Sequence, residues 1–243
     1  IRPYQWLKNC LVFVPFLIYE NSGYEEFVLS SLGFISFCFI ASSVYVLNDL
    51  LDIKSDRDHL TKKNRPFAAG SLALINGFWL VPLLLVSGLI IASFLGTGTF
   101  LILLTYLIIT LFYSLSFKKK LILDVCILAC LYTLRLIGGA VVIQSDLSPW
   151  LINFSIFVFF FLACIKRESE LIVGVNADNS ASRRSYIEED KKGLSTLAIG
   201  SGLLSVLILL LYADSASSLD AFSSPIFLWF LSPIFLYWIS RLS

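Results

Sequence analysis

Residues 27–47 contain no charged side chain, and as a helix they are long enough to cross the hydrocarbon core of a bilayer. Comparable apolar runs recur along the chain, and none of them alternates apolar with polar residues. Lipid offers the backbone no water to bond, so a spanning segment must be a helix or a strand of a closed barrel. Barrel strands alternate, which excludes the second option. The expected fold is an all-α polytopic membrane protein. With 58% hydrophobic and 14% charged residues in 243 and a mean hydropathy of +0.85, the composition excludes an ordinary soluble domain. A net charge of +1 gives no reason to expect a nucleic-acid partner.

The apolar runs predict eight spans, at about residues 3–19, 27–47, 78–95, 100–115, 121–143, 150–165, 194–212 and 225–239. The apolar part of the first, residues 10–19, is short for a full span, so its helix is expected to begin near Pro3 and to carry Lys8 into the fold. Gly96-Thr97-Gly98-Thr99 predicts a tight turn between the third and fourth. Two polar connections are long, at residues 48–70 and 166–192. With eight spans, every Lys and Arg apart from Arg135 falls on one side: Arg2 and Lys8, Lys54 to Arg65, Lys118 to Lys120, Lys166 to Lys192, and Arg241. The other side carries only acids, among them Glu20, Glu25, Glu26, Asp146, Asp214 and Asp220. Positive charge stays cytoplasmic, so both long connections are expected to face the cytoplasm. The five cysteines lie in apolar segments without metal-ligand spacing, and neither disulfides nor zinc are expected.

Chemistry should sit where charge meets the membrane. Asn48-Asp49-Leu50-Leu51-Asp52-Ile53-Lys54-Ser55-Asp56 follows directly on an apolar run. On a helix Asp49, Asp52 and Asp56 fall on one narrow face, with Asn48 at its edge. Capping a helix uses one or two acids rather than three in phase. Such an all-oxygen set suits Mg²⁺, which usually shares its ligands with substrate phosphates. Lys62, Lys63 and Arg65 follow, cations able to neutralise phosphate oxygens, although part of that run serves as ordinary positive-inside anchoring. His59, the one histidine, reads as a loop hydrogen-bonder.

Three further places stand out. Arg135 lies deep in the fifth span, where an Arg rarely faces lipid and usually lines a polar cavity or binds an anion. The acid in the same span, Asp124, is more than two turns away and poorly placed to pair with it. Lys166-Arg167-Glu168-Ser169-Glu170 opens the second connection; its spacing allows pairing along one helix face, or binding of an anion by Lys166 and Arg167. Tyr186 and Asp190, four apart, are a weaker helix-compatible pair.

Together these residues resemble the UbiA superfamily of intramembrane prenyltransferases over almost the whole chain. Asn48 to Asp56 reads as its NDxxDxxxD signature. Arg2-Pro3-Tyr4-Gln5-Trp6-Leu7-Lys8-Asn9 is similar to the RPxQWxKN opening of the polyprenyl-phosphate (decaprenyl-phosphate) phosphoribosyltransferase branch. Asp56-Arg57-Asp58-His59-Leu60-Thr61-Lys62-Lys63-Asn64-Arg65-Pro66 is similar to its DRxHPxKxxRP continuation, with Leu60 in place of the usual Pro. Leu134-Arg135 before Gly138-Gly139, and Lys166-Arg167 before Glu170, also resemble that branch. Aromatic prenyltransferases of the superfamily carry a second Asp-rich motif where this chain has Lys166-Arg167-x-x-Glu170.

The resemblance implies one transmembrane domain over residues 1–243 with a cytoplasm-facing cavity. The family has nine helices, so the ninth is expected beyond Ser243. It implies Mg²⁺-dependent transfer from 5-phosphoribosyl 1-diphosphate to a polyprenyl phosphate at a bacterial inner membrane. Asn48, Asp49, Asp52 and Asp56 would hold the metal; Asp49, Asp52, Lys8 and Arg135 would carry catalysis. Lys8, Asn48, Lys62, Arg65, Arg135, Lys166, Arg167, Glu170, Tyr186 and Asp190 would contact substrate. Two other readings stay open: prenyl transfer to an aromatic or quinone-precursor acceptor, with Glu170 and Asp190 as the second acidic pair, and a transporter or structural membrane protein. Transporter sites lie near the midplane, whereas these polar residues gather at one face.

Overall fold

The structure, a computed structural model, describes residues 3–19, 22–58, 62–120, 122–175, 190–215 and 226–242. Among the described residues all regular structure is helical. A 3-10 segment, Pro3–Phe13, leads into α1 (Val14–Ile18); α2 (Tyr24–Leu51) and the short α3 (Ile53–Arg57) follow. Then come α4 (Leu74–Phe94), α5 (Thr97–Leu115), α6 (Leu123–Val142), α7 (Pro149–Val175), α8 (Asp190–Ala213) and α9 (Ile226–Leu242).

Local sequence accounts for most of these boundaries. The Glu26 carboxylate accepts from the Gly23 amide at 2.8 Å, and Glu25 and Glu26 in the first turn of α2 meet the positive end of the helix dipole. Gly96 holds φ at +116°, a conformation that favours glycine, so α5 starts at Thr97 after only Leu95 and Gly96. Pro149 begins α7, a position where its missing N–H costs nothing, and the Ser148 hydroxyl accepts from the Trp150 amide.

Six described helices, α2 and α4 to α8, are long and apolar enough to cross a membrane, and shorter apolar helices cover Gln5–Ile18 and Phe227–Leu242. Large apolar side chains such as Phe78, Trp79, Leu83, Phe94 and Phe112 stand exposed along them, a surface that lipid rather than water must cover. The protein is integral to the membrane.

Four expectations are corrected in detail. The first span is wound mainly as a 3-10 helix rather than an α-helix; buried or half-buried Trp6, Asn9, Val12 and Pro15 recur every third residue, the repeat of a 3-10 turn. The second runs on to Leu51, which brings Asn48 and Asp49 into α2. The turn before α5 is shorter than four residues. The sixth continues past residue 165 to Val175, so Lys166, Arg167 and Glu170 lie on a helix and not in a connection; the Arg167–Glu170 bond at 2.7 Å supports the first turn of that extension.

The chain divides into two compact units, Ile1–Ser116 with Leu134–Asp146 and Phe117–Thr133 with Leu147–Ser243. In the first, α2 packs on α4, α5 and the 3-10 segment. Phe37, Ile40, Val44, Leu103 and Tyr106 are buried there, with the Phe37 and Tyr106 rings edge-on at 5.3 Å. Ser36 Oγ donates to the Gly88 carbonyl at 2.6 Å, and Ser43 Oγ to that of Val81 at 3.0 Å. Small and hydroxylated residues let two membrane helices approach closely; a Cβ on Gly88 would lie 2.8 Å from Ile40. In the second unit, Val125, Phe161, Cys164, Leu194, Ala198, Val206 and Ile239 form the core.

Candidate functional site

The acid stretch keeps its helical spacing through a small break. The backbone leaves α2 at Asp52 (φ −95°, ψ 5°) and re-enters a helix at Ile53. Even so, Asp52 N–H donates to the Asn48 carbonyl and Asp56 N–H to that of Asp52, both at 2.9 Å. Asn48, Asp52 and Asp56 therefore follow one another at single-turn intervals.

Arg65 joins two of the acids. One of its terminal nitrogens (Nη1) donates to Asp49 Oδ1 at 3.1 Å and to Asp56 Oδ2 at 2.6 Å. The Asp56 side chain is 2% exposed, that of Asp49 12% and that of Arg65 26%. The segment that carries Arg65 is itself ordered. Ala69 N–H donates to the Arg65 carbonyl at 2.8 Å and Leu72 N–H to that of Pro66 at 3.2 Å, while Gly70 takes φ +74°. Buried Phe67 seats this turn against α4, where a Cβ on Gly77 would meet its ring at 2.8 Å. Arg57 Nε adds a bond to the Ala68 carbonyl at 3.2 Å.

The donor set fits a hard divalent cation. Asn48 Nδ2 donates to Ser114 Oγ at 3.0 Å, so its Oδ1 is not the atom used in that bond. Among the described residues, no three Asp, Glu, His or Cys side chains converge into a ready-made cage. Mg²⁺ does not need one, since it commonly takes one or two carboxylates together with substrate phosphates. Asn48, Asp49 and Asp52 could supply oxygens to it, and Asp56 is the acid most covered by Arg65.

Lys8 is half-buried on the 3-10 segment, and Lys62 opens a short 3-10 turn, Lys62–Asn64. Arg135 is buried within the first unit. Its Nε donates to Asn9 Oδ1 and its Nη2 to the Tyr106 hydroxyl, both at 2.8 Å, and the guanidinium lies 4.9 Å from the Tyr106 ring centre. In the second unit Arg167 is 2% exposed. Its Nε and Nη2 grip both oxygens of fully buried Asp124, the second at 2.9 Å, and its Nη1 bonds Glu170 at 2.7 Å. Lys166, next to it, is exposed, and Asp190 is half-buried at the start of α8. Tyr186, like His59, lies outside the described residues.

The structure thus brings Asp49, Asp56 and Arg65 together, and it directs Arg135 to Asn9 and Arg167 to Asp124. Sequence reasoning missed Ser114, Asn9, Tyr106 and Phe67. For Asp124 a signal did exist: an acid inside an apolar helix needs a partner, and Arg167 is that partner.

The UbiA prenyltransferase family matches residues 10–242. Among curated relatives, a protein described as "Uncharacterized protein y4nM" from Sinorhizobium fredii is 33% identical over 100% of this chain and 48% of its own length. Nodulation protein NoeC of Azorhizobium caulinodans is 34% identical over 99% of this chain and 78% of its own. Decaprenyl-phosphate phosphoribosyltransferase of Mycolicibacterium smegmatis is 35% identical over 70% of this chain and 55% of its own. The chain thus spans about half the length of the first and third of these. Among solved structures, a UbiA homologue from Archaeoglobus fulgidus bound to DMAPP and Mg²⁺ superimposes with a TM-score of 0.77 at 20% identity, over 99% of this chain and 83% of that one. The fold is that of the solved UbiA homologue, and the chain belongs to the UbiA prenyltransferase family.

Proposed function

We propose that the protein transfers 5-phosphoribose from 5-phosphoribosyl 1-diphosphate to a polyprenyl phosphate, with Mg²⁺, on the cytoplasmic side of a bacterial inner membrane. The observation that carries this reading is the sign of the charges at the end of α7. Lys166 and Arg167 stand where a prenyl-diphosphate enzyme of this family would carry a second set of metal-binding acids. Glu170, one of the two acids that could replace them, is engaged by Arg167 at 2.7 Å. With Glu170 held by Arg167 and Arg167 itself spent on Asp124, the acidic stretch Asn48 to Asp56 is left as the one metal site proposed, which suits a single diphosphate donor. Relatives described as decaprenyl-phosphate phosphoribosyltransferases support the same choice.

Bound by Asn48, Asp49 and Asp52, Mg²⁺ would supply positive charge to the departing diphosphate. Arg65, already between Asp49 and Asp56, is a fork able to pair with diphosphate oxygens at the same place. An oxygen of the lipid phosphate forms the new bond to the anomeric carbon, and the bond from that carbon to diphosphate breaks. The attacking phosphate is already anionic, so no residue has to remove a proton from it. What remains for the chain is to orient two anions and screen their repulsion, and such positioning supplies much of a rate. Lys8 is the cation proposed for the lipid phosphate.

A second reading, prenyl transfer from a prenyl diphosphate, is favoured by one observation: the structural neighbour described above was solved with DMAPP and Mg²⁺. One assay separates the two. Membranes holding the protein are given labelled phosphoribosyl diphosphate and polyprenyl phosphate, with and without EDTA. Label is expected in the lipid fraction only without EDTA. No label there, together with prenylation of an aromatic acceptor by a prenyl diphosphate, would sink the phosphoribosyl reading.

A further inference from the structure

The N-terminal 3-10 segment is fastened at every third residue. Trp6 Nε1 donates to Ser42 Oγ at 3.0 Å. Asn9, 1% exposed, donates from Nδ2 to Cys38 Sγ at 3.2 Å. Val12 is fully buried, and its carbonyl lies where a Cβ on Gly139 of α6 would come within 2.1 Å. Only glycine allows α6 that close to the segment. Side chains three apart eclipse in a 3-10 helix, so Gln5, Lys8 and Leu11 form a separate stripe beside the fastened one. On that stripe Gln5 Oε1 is buried without a hydrogen-bond partner. A buried acceptor in that state is uncommon in a folded protein and marks the stripe as one that can receive a donor from a ligand.

Arg135 closes the arrangement from α6. Its Nε bond to Asn9 directs it at the fastened stripe and its Nη2 bond to Tyr106 braces it on α5, whereas the sequence alone assigns it to a substrate phosphate. We infer that Arg135 is a positioning residue, which fixes Asn9 and with it the 3-10 segment so that Lys8 meets an anionic substrate group at a set place. The inference deepens the transferase reading and rests on Lys8 serving as a substrate cation.

The test is a double-mutant cycle on the full protein in membranes, measuring kcat and KM for each phosphorylated substrate. Asn9→Ala and Arg135→Gln should each raise one substrate's KM about tenfold while kcat changes less than about threefold, the pattern of lost binding rather than lost transition-state stabilisation. Asn9→Asp, which keeps the acceptor for Arg135, should return KM to within about threefold of the wild type. In a Lys8→Ala background, Asn9→Ala should cost nothing further, because coupled residues do not add. Additive losses in that background would overturn the inference, as would a fall in kcat at unchanged KM. If Arg135→Gln does not fold, Tyr106→Phe removes one bond, keeps the ring, and must show the same KM-weighted pattern. The wild-type protein assayed with both donors reports on the reaction separately. Prenyl transfer alone would end the phosphoribosyl reading and leave the cycle readable on the reaction that does occur.

Discussion

Two arginines in this protein each hold two carboxylates, and their surroundings give them different work. Arg65 joins Asp49 to Asp56 with its side chain 26% exposed. Arg167 joins Asp124 to Glu170 at 2% exposure. Water near the first pair weakens attraction and lets partners exchange; the second sits where the effective dielectric is low and an unpaired charge is expensive. In the proposed reaction the first would release its acids to a cation and turn to a phosphate. The second is a fixture of the second unit, tying α6 to α7 across 43 residues of sequence. Counting charges would rank the two as equals, and burial separates them.

The comparison breaks most visibly at the metal side. Asp49→Ala and Asp52→Ala should each lower transfer by about 10³-fold, of the order seen when a transition-state charge loses its partner, with the protein still present in the membrane at wild-type level. Radiolabel transfer and detergent-extracted yield together check this. Next in size, Arg167→Ala should destabilise the protein by about 3–5 kcal/mol, since it strands Asp124 as a buried charge. Thermal unfolding in detergent would show it, and the Arg167→Met/Asp124→Leu pair should recover most of the loss. Arg65→Gln should cost about 1–3 kcal/mol, because Asp56 at 2% exposure loses a partner, less than Arg167→Ala costs, and it should raise KM for the diphosphate donor. A large stability loss there would make Arg65 another fixture. The smallest effect concerns salt. Raising ionic strength from about 0.05 to 0.5 M should reduce the Arg65 contribution and leave that of Arg167 unchanged, because screening reaches exposed pairs first.

Much of this was legible in the sequence because hydropathy and period are local signals. All eight apolar segments appear as helices, and Asn48 to Asp56 keeps the turn-by-turn spacing its acids suggest. Other features depend on contacts that no local window contains. Asn9 and Arg135 are 126 positions apart, and nothing near either names the other. The end of α7 was hidden because the apolar run stops at residue 165 while the helix goes on, held by pairing between its own charged residues. The N-terminal segment does carry a readable pattern, Trp6, Asn9, Val12 and Pro15, but its period is three and a search at the α-helical period passes over it. Ser114 and Phe67 support the site without carrying any chemistry, so no motif announces them.

The central claim is that residues 48–56 form the metal–diphosphate site. Mn²⁺ as a paramagnetic stand-in for Mg²⁺, added to the purified protein with inorganic diphosphate, tests it without any turnover. Electron paramagnetic resonance should show bound Mn²⁺ in the wild type, loss of that signal in Asp49→Ala and Asp52→Ala, and retention in the Arg167→Met/Asp124→Leu pair. Undiminished binding in both acid variants would contradict the account.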